Sequence, residues 1–255
     1  MFDIEVYKRM LEKYRLKVEE KYGEYCGFAY DGPIVPERWN NKKINNVKIL
    51  FYAKETYGHD GCSICPIMES PDGYSASKTN LNISKLSYCI NQLFSKIRRS
   101  KCKSLTAQDL FKLIDEVVDG LPIISKCSLR EYYSNVAVVE VKKTSGDVKS
   151  NDVEIRKHSV ENAGFLTEQI KYLSPDIIIC CGLVTWHSLV NDTGLINDKT
   201  SITNERGGIS YGNMILYNSF HPSAPRFNMY DVLFNIFECI IDKSASNAEF
   251  AKAWQ

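Results

Sequence analysis

Four short, almost wholly apolar runs constrain this chain most: Val47–Ala53, Val136–Val141, Asp176–Gly182 and Met214–Asn218. Continuous apolar runs of this length, without alternation, belong to strands covered on both faces. Between them lie stretches with helical spacing. Residues 4–22 place Tyr7, Met10, Leu11, Tyr14 and Val18 on one face, and residues 82–98 do the same with Leu86, Ile90, Leu93, Phe94 and Ile97. Further helices are predicted over about 106–119, over 159–173, from Gly182 through Trp186 to Val190, and over 228–242. Strands alternating with helices predict an α/β fold: a three-layer α/β/α sandwich with a central four-stranded parallel sheet. No internal repeat or low-complexity linker divides the 255 residues. The expectation is one domain, with a helix-and-loop extension (1–46), a core (47–242) and a tail (243–255), with a docked helix over the final residues as its alternative.

A formal net charge of +1 singles out no class of partner, so the distribution of charge carries the information. Lys96, Arg98, Arg99, Lys101 and Lys103 form one basic cluster, and Lys142, Lys143 and Lys149 another; each reads as solvated surface, with a phosphate-contacting patch as the sharper alternative. The first residues include Asp3, Glu5, Lys8 and Arg9, which is unlike a secretory leader, and no run is long enough to span a membrane. Nine cysteines without a disulfide-scaffold spacing fit free thiols in a reducing cytoplasm. Cys62 and Cys65 form a CxxC to which His59 adds a third ligand. No second ligand pair is evident, so neither metal nor cofactor is expected. Cys180 and Cys181 end an apolar strand and read as small core residues. Residues 54–80 form a long polar loop, and 191–212 a Gly- and Asn-rich excursion.

Two chemical stretches follow predicted strands. Ser219-Phe220-His221-Pro222-Ser223-Ala224-Pro225-Arg226-Phe227 leaves the fourth, and Lys54-Glu55-Thr56-Tyr57-Gly58-His59 leaves the first. Open parallel sheets place ligands at the carboxyl ends of their strands. An acid and a histidine are therefore expected to converge over one cleft there, with the two prolines stiffening the histidine loop.

With these segments in order, the chain resembles the uracil-DNA glycosylase superfamily over roughly residues 45–240. "VKILFYAKETYG" (47–58) is similar to the family's first active-site motif, and "NVAVVEVKK" (135–143) to its second strand. "LSPDIIICCGLVTW" (173–186) is similar to its third strand, and "SFHPSAPRF" (219–227) to its His-Pro-Ser loop. The resemblance implies a DNA glycosylase without a cofactor that flips a nucleotide out of double-stranded DNA and cuts its glycosidic bond. It implies a monomer in a prokaryotic cytoplasm, at the nucleoid. Glu55 falls at the family's acidic position, to orient water and offset cationic charge on the sugar, and His221 at the position that stabilises the leaving base. Tyr57 falls where the base's C5 face is tested, and Tyr74 and Tyr57 are candidates to stack on the base. Ser223 is expected to hold a phosphate, Arg226 or Phe227 to fill the gap left by the flipped base, and Thr185 and Trp186 to touch the backbone, Trp186 having the core as its alternative. Lys54 is read as a phosphate contact, with a Schiff base as the alternative.

The resemblance breaks at the base reader. Glu140 aligns where the family carries an asparagine that reads uracil; a shifted alignment would hand that role to Asn135 or a neighbour. An ionised carboxylate only accepts hydrogen bonds, so it opposes uracil O4 and suits the N4 amino group of cytosine. The expected substrate is a C5-modified cytosine, hydroxymethylated or glucosylated as in some phage DNA, and the expected role antiviral defence. Uracil repair and a non-catalytic DNA-binding module are the alternatives.

Overall fold

The computed structural model describes residues 2–23, 27–39, 47–55, 78–99, 105–124, 129–144, 146, 150–196 and 207–254. Its strands are β1 (Gly32–Pro33), β2 (Ile49–Ala53), β3 (Val136–Glu140), β4 (Ile177–Cys181), β5 (Gly208–Tyr211) and β6 (Met214–Ser219). They form one sheet in the order β1-β3-β2-β4-β6-β5. The four apolar runs make its centre, β3-β2-β4-β6, all mutually parallel. The sheet is nevertheless six-stranded and mixed, because β1 and β5 add antiparallel edges to the four strands expected.

Alternate residues of each central strand feed two separate cores. Ile49, Phe51, Val136, Val138, Ile177, Ile179 and Ile215 face one. Leu50, Tyr52, Ala137, Val139, Ile178, Cys180 and Leu216 face the other. The first is covered by α2 (Lys78–Arg99), α3 (Ala107–Asp119) and α8 (Met229–Ser246) through Leu86, Ile90, Leu93, Ile114, Leu233 and Phe237. The second is covered by α1 (Ile4–Tyr22), α6 (Ala163–Leu173) and α7 (Leu183–His187) through Tyr7, Leu11, Leu166, Ile170 and Trp186. Central strands are thus covered on both faces, which is why they show no polar alternation.

Several boundaries differ from expectation for local reasons. The helix expected at 159–173 is two, α5 (Asp152–Glu161) and α6, broken at Asn162. Asn151 caps α5 by accepting from the Val153 N–H at 3.0 Å, moving its start seven residues earlier than the apolar periodicity suggested. Downstream, α7 runs on into a π turn at Ser188–Asp192. Of the two readings of the final residues the docked helix holds over the described part: α8 extends to Ser246 and α9 (Ala248–Ala253) docks through buried Phe250 and Trp254. The N-terminal extension is equally part of the fold, since α1 buries Tyr7 and Leu11 in the second core.

A buried charge ties this extension to the sheet. Asp31, just before β1, is wholly buried. Its carboxylate accepts from the Glu140 N–H at 2.6 Å, from Gln169 Nε2 at 2.5 Å and from Lys143 Nζ, itself wholly buried. Tyr7 closes the network, donating to the Asp31 carbonyl at 3.0 Å and accepting from Gln169 at 2.7 Å. Removing one partner of a buried pair strands the other charge. Asp31→Ala is expected to lower the unfolding free energy by about 3–5 kcal/mol, and Asp31→Leu with Lys143→Met to recover part of that loss. Urea denaturation of the three proteins checks both.

Candidate functional site

The carboxyl edge of the sheet is assembled by register. Ala53 pairs with Glu140, and Cys181 with Ser219, so the chains leaving β2, β3, β4 and β6 emerge side by side. Backbone pairing of β2 with β3 continues past the strands, with Val141 N–H donating to the Ala53 carbonyl and Lys142 N–H to that of Lys54. Two residues beyond the Ala53–Glu140 pair, the same register sets Glu55 beside Lys142. Their charged atoms meet at 2.9 Å, with the side chains only 2% and 6% exposed. Lys142 also bridges Glu154 at 2.8 Å. Burial acts to lower the Lys142 pKa, but the hydrogen bonds from Glu154 and Glu55 outweigh it and raise it, so this lysine is firmly cationic. Next to it, Lys54 pairs with Asp152 at 2.6 Å. Asp152 and Glu154 both lie in the first turn of α5, where acids also complement the helix dipole.

Gly146 closes over Glu55: a Cβ there would fall 2.2 Å from Oε2. Only glycine lets the backbone lie that close to the carboxylate. Gly182, between β4 and α7, holds φ at 126°, a backbone conformation that favours glycine, and a Cβ there would be in ordinary contact with Lys54 Cε at 3.7 Å.

His221 begins the loop after β6 and is partly buried. The Ser223 backbone N–H donates to its Nδ1 at 3.2 Å, so Nδ1 must present a lone pair. The Ser223 hydroxyl, 2.8 Å from the same atom, then donates as well. The neutral ring therefore carries its proton on Nε2. Burial, and next the charge of Lys54, push the His221 pKa below its ordinary value, keeping the ring neutral. The loop is braced from α2, where Asn82 Nδ2 donates to the Pro222 carbonyl at 2.6 Å, and by a turn from Ala224 N–H to the His221 carbonyl. The edge thus offers a neutral N–H donor, suited to a developing anion, beside a buried carboxylate held by Lys142.

The other expected residues sort clearly. Glu140 is buried at the end of β3, on the α2 side by strand alternation. Asn135 is at the opposite, amino end of β3, where it bonds the Val47 carbonyl, Ser87 and Asn91, so it is no part of this edge. Thr185 and Trp186 are wholly buried, Thr185 donating to the Gly182 carbonyl at 2.8 Å and Trp186 packed in the second core. Neither can touch a DNA backbone, because no surface of theirs reaches solvent. Phe227 packs against the first core, leaving Arg226 as the exposed member of that pair. Ser223 is exposed, with its hydroxyl 2.8 Å from His221 Nδ1. Tyr57, Tyr74, His59, Cys62 and Cys65 lie outside the described residues. Among the described residues no group of His, Cys, Asp and Glu is arranged to hold a metal ion, and no helix is long and apolar enough to cross a membrane.

The described members of the two expected phosphate patches are engaged within the fold. Lys142 and Lys143 are buried in ion pairs. Lys96 pairs with Glu116 at 2.8 Å, and the Arg98 guanidinium lies over the Phe94 ring. Both sit at the far end of α2, about 20 Å along the helix from Asn82 at the histidine loop. The Arg99 side chain, Lys101, Lys103 and Lys149 lie outside the described residues. The reading of single residues missed Asp31, Gly146, Asp152 and Glu154. Asn151 followed by two acids in the next three residues was the available helix-start signal for the last two.

No protein-family model matches the chain, and no curated protein matches its sequence.

His221 and His158 both have lowered pKa values, His158 through burial and then the charge of Lys142. The unfolded chain takes up protons near pH 6.5, where the folded chain does not. Stability is therefore expected to fall as the pH drops through 6.5 toward the depressed folded-state values, and His221→Asn to flatten part of that slope. Denaturant midpoints between about pH 7.5 and 5.5 measure it, the window on either side of the ordinary histidine pKa.

Proposed function

We propose that this chain is a monofunctional DNA glycosylase that flips out and excises a C5-modified cytosine, hydroxymethylated or glucosylated, from phage DNA as an antiviral defence. The observation that carries the reading is the Ser223 N–H donating to His221 Nδ1, which leaves Nε2 to carry the ring proton, at the sheet edge that also bears Glu55. The ordered resemblance of four segments to the uracil-DNA glycosylase superfamily supports it, as does the α/β sheet whose central order brings those segments to one edge.

In the proposed reaction the bond between C1′ and the base nitrogen breaks, and its electron pair leaves with the base. His221 Nε2–H donates to the base oxygen on which that negative charge gathers. Glu55 accepts a proton from the water that attacks C1′, leaving an abasic site. Glu140, acceptor-only when ionised, takes the N4 amino group that distinguishes cytosine from uracil.

Single-turnover base release on duplexes bearing uracil, hydroxymethylcytosine or its glucosylated form tests this. Abasic sites are expected from one or both modified cytosines and not from uracil. His221→Ala should slow release about 100–1000-fold, as for loss of an oxyanion donor, and Glu55→Gln about 100–10,000-fold. Glu140→Gln should erode the preference for cytosine over uracil. Release of uracil alone would replace the reading with uracil repair. Binding without abasic sites on any duplex would replace it with a non-catalytic module.

A further inference from the structure

The described members of both expected basic clusters are spent on ion pairs or remote from the site, and other cations on the described surface are uncompensated. Arg9, Lys13, Lys17 and Lys21 recur every fourth residue along α1, so they stack in one row. All four are exposed. Lys21 pairs with Glu161 at 2.9 Å, but Arg9, Lys13 and Lys17 form no ion pair or hydrogen bond with a described residue. Elsewhere on the helix Lys8 meets Glu5, and Arg15 meets both Glu12 and Glu19. Like charges four residues apart destabilise a helix, so three consecutive steps of them work against folding.

The row forms one wall of a groove of about 620 Å³ between α1 and the start of α6. Glu161 and Glu168 stand on the opposite wall. Glu161 is engaged by Lys21 and Tyr22, and Glu168 repels an anion toward the α1 side. The row is about 18 Å long, the axial rise of roughly five phosphates on one DNA strand. It also leads to the candidate site. Beyond Lys21, the Tyr22 ring stacks on His158 at 5.0 Å, His158 approaches Glu154 at 4.0 Å, and Glu154 holds Lys142, the partner of Glu55. The apolar face of α1 is buried through Tyr7, Leu11 and Val18, so the helix has no apolar side left to enter a lipid surface.

We propose that Arg9, Lys13, Lys17 and Lys21 form a track for the phosphodiester backbone of the DNA on which the site acts. This rests on the reading of that site as a DNA-processing one. The chemistry recognised is a regularly spaced polyanion, independent of base sequence.

The test is fluorescence anisotropy with a labelled duplex of ordinary bases, titrated at several salt concentrations. The variant Arg9→Gln/Lys13→Gln/Lys17→Gln is expected to bind more weakly and to lower the slope of log K against log salt by about 2–3, one released counterion per lost contact. Its melting temperature should equal or exceed the parent's, because like-charge repulsion is relieved. Lys96→Gln/Arg98→Gln should leave the slope unchanged. An unchanged slope in the triple variant, no measurable duplex binding by the parent, or binding of polyglutamate in place of DNA would each overturn the proposal. Failure here with base release intact leaves the glycosylase reading standing. A lowered slope without base release from any duplex keeps the track and removes the glycosylase chemistry.

Discussion

The burial of Asp31 against Lys143 is the interaction on which the geometry of the site edge depends. One carboxylate holds the N–H of the last residue of β3, a lysine three residues further on and a glutamine from α6. It thereby fixes where the chain leaves β3, and hence where Lys142 meets Glu55. A buried pair is seldom a large net stabiliser, since desolvating two ions offsets much of their attraction. Its contribution here is geometric. Every partner must be in place for the charge to be tolerated, so competing placements of the N-terminal extension are disfavoured.

The central sheet was legible because its strands are covered on both faces, which leaves a period-free apolar run in the sequence. The edges were not, for two different reasons. Gly32–Pro33 carries no strand pattern, and its pairing with β3 is secured by Asp31 and by room for the Tyr7 ring, which a Cβ on Gly32 would meet at 2.5 Å. By contrast β5 carried a signal, Gly212-Asn213 between Tyr211 and Met214, a two-residue hairpin turn with Gly212 at φ 57°. Its strand residues are only partly buried, so hydrophobicity did not mark it.

At the site, Glu55 and His221 were legible because each directly follows an apolar strand in a sheet whose ligands gather at that end. The lysines were misread for a physical reason. A run of Lys looks the same in sequence whether it is solvated or paired, and the partner that buries Lys143 lies 112 residues away. Lys142 is likewise matched by a carboxylate from another strand and one from α5. Trp186 shows the converse, since an aromatic after a strand end is as compatible with core as with a ligand wall, and here the core takes it.

The Lys142–Glu55 pair also bears on how the proposed reaction would divide its work. An isolated carboxylate beside a forming sugar cation acts as a full charge. A carboxylate with an ammonium 2.9 Å away acts outward more nearly as a dipole, whose influence decays faster with distance. Offsetting the sugar cation is thereby weakened, whereas accepting a proton from a bound water depends on lone pairs in contact and is better preserved. The opposite holds at the base. His221 is a neutral donor whose Nδ1 is already satisfied, and Lys54, itself paired with Asp152 at 2.6 Å, adds only a weakened positive field beside it. In the proposed reaction the charges at this edge would thus place more of the stabilisation on the departing base than on the sugar, a balance that would suit a poor leaving group such as cytosine.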